Sequence, residues 1–132
     1  MNRLWTALLA ISILTGCSVN NEISRRAIAG KYILNRSNYG EFIKVLDNGK
    51  YEHVYQLLDG RIVSEGGDWN FGIRSGNCSG VQFGNFHFVY RAIGSRLDRS
   101  RGDWWVCPEI YPDGVIVLPY NQDQDLFFRK QQ

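Results

Sequence analysis

Two histidines, His53 and His87, a scatter of carboxylates and a surplus of aromatic rings are the side chains through which this chain could act on another molecule. If both lie on alternating strands, His53 shares a face with Tyr51 and Tyr55, and His87 shares one with Phe83 and Asn85. A metal site would need a carboxylate such as Glu52 or Glu65 to join the two imidazoles. No spacing fixes that geometry, so hydrogen-bonded or exposed histidines are expected, with no metal and no cofactor. Nucleophilic catalysis has as little to stand on, because the strained GxSxG presentation of a serine is absent. Asp98, Asp103, Glu109, Asp113, Asp123 and Asp125 fall in expected loops, where solvated charge is the default. The chain therefore reads as a binding module and not an enzyme. Tyr51, Tyr55, Trp69, Tyr90, Trp104 and Trp105, with Tyr120, could line a cup for a small apolar ligand, since aromatic rings offer broad apolar faces with a polar edge. Arg91, Arg96, Arg99 and Arg101 concentrate positive charge in one expected loop, suited to bidentate contacts with a phosphate, a lipid headgroup or an acidic partner. A solvated connection is the plainer account of that loop. Packing of a small core is likewise the plainer account of the aromatics.

Positioning these side chains falls to short strands. Gly 14 and an aromatic content of 14% favour a turn-rich β protein. Eight apolar or alternating runs follow Gly30: Lys31 to Asn35, Glu41 to Leu46, Tyr51 to Leu57, Ile62 to Phe71, Val81 to Tyr90, Asp103 to Tyr111, Val115 to Tyr120 and Leu126 to Lys130. Asp47-Asn48-Gly49, Asp59-Gly60 and Pro112-Asp113-Gly114 supply the left-handed backbone that short hairpin turns require, so consecutive strands should pair antiparallel. The fifth run carries Phe83 on one face and Phe86, Phe88 and Tyr90 on the other, which leaves one set for a surface patch or a covering segment. Helix is expected only as one turn around Ser24 to Ala29. An eight-stranded antiparallel up-and-down barrel removes the exposed edges of an open sheet and is the expected fold, with a two-sheet sandwich as the alternative. Gly30-Lys31-Tyr32, Asp47-Asn48-Gly49-Lys50-Tyr51, Gly67-Asp68-Trp69-Asn70-Phe71 and Phe127-Phe128-Arg129-Lys130 resemble the small lipocalin-like barrels of bacterial envelopes. The Gly-x-Trp of true lipocalins is replaced here by Gly30-Lys31-Tyr32.

Ahead of the strands, Arg3 and an apolar stretch from Leu4 to Leu14 lead into Leu14-Thr15-Gly16-Cys17. The stretch is short of the roughly 20 apolar residues that span a bilayer and has the layout of an export signal. Its end resembles the lipobox of bacterial lipoproteins. That resemblance implies cleavage after Gly16, a diacylglycerol on the Cys17 sulfur and further acylation, commonly palmitate, of its new amino group. Ser18 is not the Asp associated with inner-membrane retention, which points to the outer membrane, facing the periplasm. The organisation that follows is a signal peptide at 1–16, a lipidated tether at 17–29 and a barrel domain at 30–132. With Cys17 consumed, Cys78 and Cys107 are an even pair in an oxidising compartment, expected as a disulfide worth roughly 3 to 4 kcal/mol of loop-closure entropy. Two free thiols or a metal pair are the competing readings. Once Arg3 leaves with the signal, 14 basic residues face 13 acidic ones, which gives no reason to invoke nucleic acid. The expected role is non-catalytic binding of a small apolar or envelope-derived ligand, with a protein-interaction module that uses its outer face, as an assembly accessory, a hydrolase inhibitor or an immunity protein, as the alternative; the expected partners are the membrane, through the lipid, and such a ligand or envelope protein.

Overall fold

The computed structural model describes residues 23–35, 40–57, 59–90, 98–123 and 125–132, without the side chains of Tyr90 and residues 98–100. The expected export signal, Cys17, Arg91 and Arg96 lie outside the described residues, as do the side chains of Tyr90 and Arg99. One helical turn, α1 (Arg25–Ile28), precedes β1 (Gly30–Leu34), β2 (Phe42–Val45), β3 (Lys50–Gln56), β4 (Ile62–Ser75), β5 (Cys78–Tyr90), β6 (Asp98–Val106), β7 (Glu109–Ile110), β8 (Ile116–Asn121) and β9 (Leu126–Lys130).

Period-2 burial forms these strands: Tyr51, His53 and Tyr55 turn inward along β3 while Glu52, Val54 and Gln56 are partly exposed. The Asp/Asn-Gly pairs make the turns between them. At Gly49 φ is 85°, and the Lys50 amide donates to Asn48 Oδ1 at 3.0 Å. Gly60 and Gly114 adopt φ of 89° and 81° in the corresponding turns. All ladders are antiparallel, and the sheet order is β6-β5-β4-β3-β2-β1-β9-β8-β7, a single curled sheet that forms a half-barrel. The first and last strands are neighbours, with Tyr32 opposite Lys130 and Leu34 opposite Phe128. Among the described residues no ladder joins β6 to β7, so the closure expected of a complete barrel is missing at that one place. The sheet is also not split into the two sheets of a sandwich.

Nine strands, not eight, make up the sheet. The run expected from Asp103 to Tyr111 is two strands interrupted at Cys107-Pro108, where proline has no N–H to give a ladder. β6 also starts earlier than expected, because β5 pairs with it out to Tyr90 opposite Asp98, and this puts Arg99 and Arg101 on a strand and not in a loop. Between β4 and β5 the expected wide break is a tight turn at Gly76-Asn77, with Gly76 at φ 58°. The Cys78–Cys107 disulfide (S–S 2.02 Å, sequence separation 29) ties the start of β5 to the residue after β6.

Ile28, Tyr32, Ile43, Trp69, Phe83, Phe86, Leu118 and Phe128 are buried in one core between the curled strands. α1 caps the end of that core where β1 begins. Ser24 Oγ accepts from the Ala27 amide, Ile28 is buried, and the Tyr32 hydroxyl donates to the Ile28 carbonyl at 2.6 Å. Arg25 donates to the Asp47 carbonyl and sits 4.5 Å over the Trp69 ring. Packing thus reaches back to Ile23 and Ala27, so these residues of the expected tether belong to the folded unit.

Candidate functional site

At the end of the core opposite α1, polar side chains from five elements converge. They do so because β4 divides its partners. It pairs with β3 from Ile62 to Asp68 and with β5 only from Trp69 to Ser75. A bulge at Gly84-Asn85, with Asn85 at φ 50° and its amide donating to Asp103 Oδ1, then turns β5 away so that, among the described residues, Phe86 to Tyr90 pair with β6 alone. Side chains fill the space between the diverging strands. Tyr55 Oη lies 2.5 Å from His87 Nδ1, Glu65 Oε2 lies 3.3 Å from the same nitrogen, and Arg101 donates to Glu65 Oε1 at 2.5 Å. Beside them the Tyr51 hydroxyl donates to the Gly84 carbonyl at 2.8 Å. Deeper in, His53 Nε2 meets Glu41 Oε1 at 2.7 Å, and the His53 ring stacks on Phe86 with centroids 4.5 Å apart.

Burial works to raise the Glu65 carboxyl, but the hydrogen bond and charge of Arg101, helped by His87 and the Tyr55 hydroxyl, outweigh it and hold that group below its ordinary value. Burial pushes His87 below the ordinary imidazole value, with Glu65 pulling it up and Arg101 pushing it down. An ionised carboxylate can only accept, and Glu65 Oε2 lies beside His87 Nδ1, so the ring proton of the neutral imidazole belongs on that nitrogen. The remaining ring nitrogens, His53 Nδ1 and His87 Nε2, are buried with no hydrogen-bond partner. Chemically the arrangement is a closed proton-holding network around one shared carboxylate. Among the described residues no group of three or more His, Cys, Asp or Glu is disposed to hold a metal ion.

The aromatics read as a cup divide sharply. Tyr51, Tyr55, Trp69 and Trp104 are buried inside, where Trp104 stacks on Phe83 at 5.2 Å and meets Phe86 at 4.8 Å and Tyr120 at 5.3 Å. Trp105, the next residue, is on the outer face at 37% exposure, lying over Gly80 and donating from Nε1 to the Ile73 carbonyl at 3.1 Å. A Cβ on Gly80 would fall 2.1 Å from that nitrogen, so the absence of a side chain is what seats the ring. Of the four arginines read as a charged loop, Arg101 is drawn into the pair with Glu65. A cleft of about 460 Å³ opens near the α1 end, bordered by Ile23, Phe71, Arg74, Pro108 and the disulfide.

No protein-family model, curated protein or solved structure matches this chain. Its functional reading rests on its own residues. Sequence reasoning does not find Glu41, and it weighs Glu65 only as a carboxylate that could join the two histidines at a metal; a further signal for Glu65 is that Val63, Glu65, Gly67 and Trp69 share one face of a strand, so an inward Trp69 carries Glu65 inward too.

Proposed function

We propose that this chain is a lipid-anchored lipoprotein of a bacterial cell envelope, and that it binds an envelope protein through the outer face of an opened, lipocalin-like barrel without catalysing a reaction. One contrast carries the reading: of two tryptophans adjacent in sequence, Trp104 fills the core and Trp105 is held on the surface by a glycine seat. A rigidly seated, half-covered tryptophan beside the exposed Ile73 has the character of an interface anchor, because its conformational freedom is already lost before a partner arrives. Support for the barrel ancestry is the cyclic strand order, complete except between β6 and β7. The anchor is supported by Leu14-Thr15-Gly16-Cys17 and the outer-membrane address, periplasm-facing, by Ser18. With a lipid on Cys17, six residues of extended chain before Ile23 reach about 20 Å, so the α1 end would face the bilayer and the polar cluster would face away.

A photo-crosslinking amino acid at position 105 or 73, in cells that express the full chain, should yield one discrete protein adduct, and the same probe at Lys44 on the outer face of β2 should not. Adducts of equal pattern at all three positions would refute the outer-face reading. Labelled palmitate should enter the wild-type chain and not Cys17→Ser; an unlabelled wild type would remove the anchor. A second reading, a small envelope-derived ligand with a polar end, is favoured by the convergence of Tyr55, Glu65, His87 and Arg101 at one end of the core. Saturable binding of a hydrophobic dye, lost in Arg101→Ala and kept in Trp105→Ala, is its signature.

A further inference from the structure

We propose that His87 is the trigger of an acid-opened joint, in which the ends of β5 and β6 farthest from α1 swing away from β3 and β4 when its imidazole takes up a proton. Among the described residues the only ladder partner of β5 between Phe86 and Tyr90 is β6. Contacts across to β3 and β4 are made by side chains: Tyr55 and Glu65 on His87, Glu65 on Arg101, the Tyr51 hydroxyl on the Gly84 carbonyl, and the Phe86 ring on His53 and Tyr51. A hairpin end held to these two strands by side chains alone can part from them without breaking a ladder, at the cost of loosening the packing of Phe86.

His87 is at the middle of these contacts and is 7% exposed. Its Nδ1 proton is already committed, and its Nε2 is a buried bare acceptor. A neutral ring tolerates a bare acceptor. An imidazolium would instead bury an unpartnered N–H at Nε2, and a buried donor without an acceptor costs more than the net worth of the hydrogen bond it lacks. The titratable and charged groups that face His87 among the described residues are Tyr55 and His53 from β3, Glu65 from β4 and Arg101 from β6, while Tyr120 from β8 reaches the neighbouring Val89 amide. Glu65 favours a charged His87, but it already serves Arg101, so protonation asks one carboxylate to satisfy two cations. Swinging the hairpin end into water resolves both conflicts at once.

The sign follows from burial, which lowers the imidazole pKa in the closed form. The open form therefore binds more protons wherever the pH lies between the closed value and the ordinary one near 6.5, and closure is intact above that range and weakens as pH falls through it. As pH falls from about 7.5 to about 5.5 the opening constant should rise, by at most about tenfold for an open-form imidazole at its ordinary value.

Hydrogen exchange of the full chain in detergent micelles, corrected for the intrinsic pH dependence of exchange, reads this directly. The expected result is a rise of up to about tenfold at residues 86–90, including the Val89 amide, with residues 42–45 on β2 unchanged. In His87→Phe the rise should vanish, and in His53→Gln it should persist. Should His87→Phe not fold, His87→Asn keeps a hydrogen-bonding atom near the Nδ1 position and removes the titration, with the same expectation. Equal exchange at both pH values, a rise spread evenly over all strands, or a rise that survives replacement of His87 would overturn the proposal.

Discussion

Gly80→Ala tests the seating of Trp105 in a way that a simple truncation cannot. The added methyl would fall 2.1 Å from Trp105 Nε1 and 2.2 Å from Cε2, so the ring has to leave. Trp105 is 37% exposed, and covering the other two-thirds of a side chain of about 150–250 Å² at about 25 cal/mol per Å² is worth roughly 2.5–4 kcal/mol. A ring displaced along the sheet keeps about half of that coverage and loses the hydrogen bond to the Ile73 carbonyl, about 1 kcal/mol net, so Gly80→Ala should cost about 2–3 kcal/mol. In a Trp105→Ala background the three atoms closest to the added methyl are gone and φ at Gly80 is ordinary, so Gly80→Ala should then cost little or nothing. The coupling between the two sites is therefore about 2–3 kcal/mol. Urea denaturation of the four members of this cycle, followed by far-UV circular dichroism with the disulfide intact, measures it. An equal cost of Gly80→Ala in both backgrounds would show that Trp105 does not rest on Gly80, and the rigid outer-face anchor would fall with it.

Other outcomes follow from the packing. Replacing both Cys78 and Cys107 by alanine should lower stability by roughly 3 kcal/mol in thermal or urea unfolding, the entropy of closing a loop of 29 residues, and a reducing agent should no longer affect the variant. Tyr32→Phe removes the buried hydroxyl that donates to the Ile28 carbonyl and should cost about 1–2 kcal/mol, with amide exchange rising first in α1. The Tyr51 phenol, pushed up to about 12 chiefly by burial, contributes stability that is complete below its ordinary value of 10.0 and lost as pH rises from there toward about 12. Ultraviolet titration should show a late-ionising tyrosine that disappears in Tyr51→Phe, and an unchanged titration would place that ring in water.

Strands were legible where alternation and turn chemistry agree: Tyr51, His53 and Tyr55 alternate, and Asp47-Asn48-Gly49 and Asp59-Gly60 bracket them with residues that tolerate positive φ. Legibility failed where long-range pairing overrides the local pattern. Nothing in Asp98 to Gly102 reads as a strand until β5 is beside it, since a charged, glycine-containing stretch acquires its extended form from the partner ladder. The bulge at Gly84-Asn85 exchanges the faces of β5, so the sharing of a face by His87 and Phe83, inferred from strict alternation, does not survive, and Phe83 and Phe86 meet in the core instead. Glu65 gave a period-2 signal that pointed inward, but its meaning depends on Arg101, thirty-six positions away, and no local pattern records such a partner. The aromatics were found as a set; which of them fill space and which face solvent is decided by curvature, which composition does not encode.

Joining β1 to β9 makes a strand made early wait for the last strand of the sheet. Until Leu126 to Lys130 have been made, Gly30 to Leu34 lack one neighbour and β8 lacks its longer one, so the unfinished sheet holds open edges until β9 is in place. Truncation ahead of Leu126 would thus injure the first strand of the sheet as severely as the last ones, and would leave an aggregation-prone edge on the remainder.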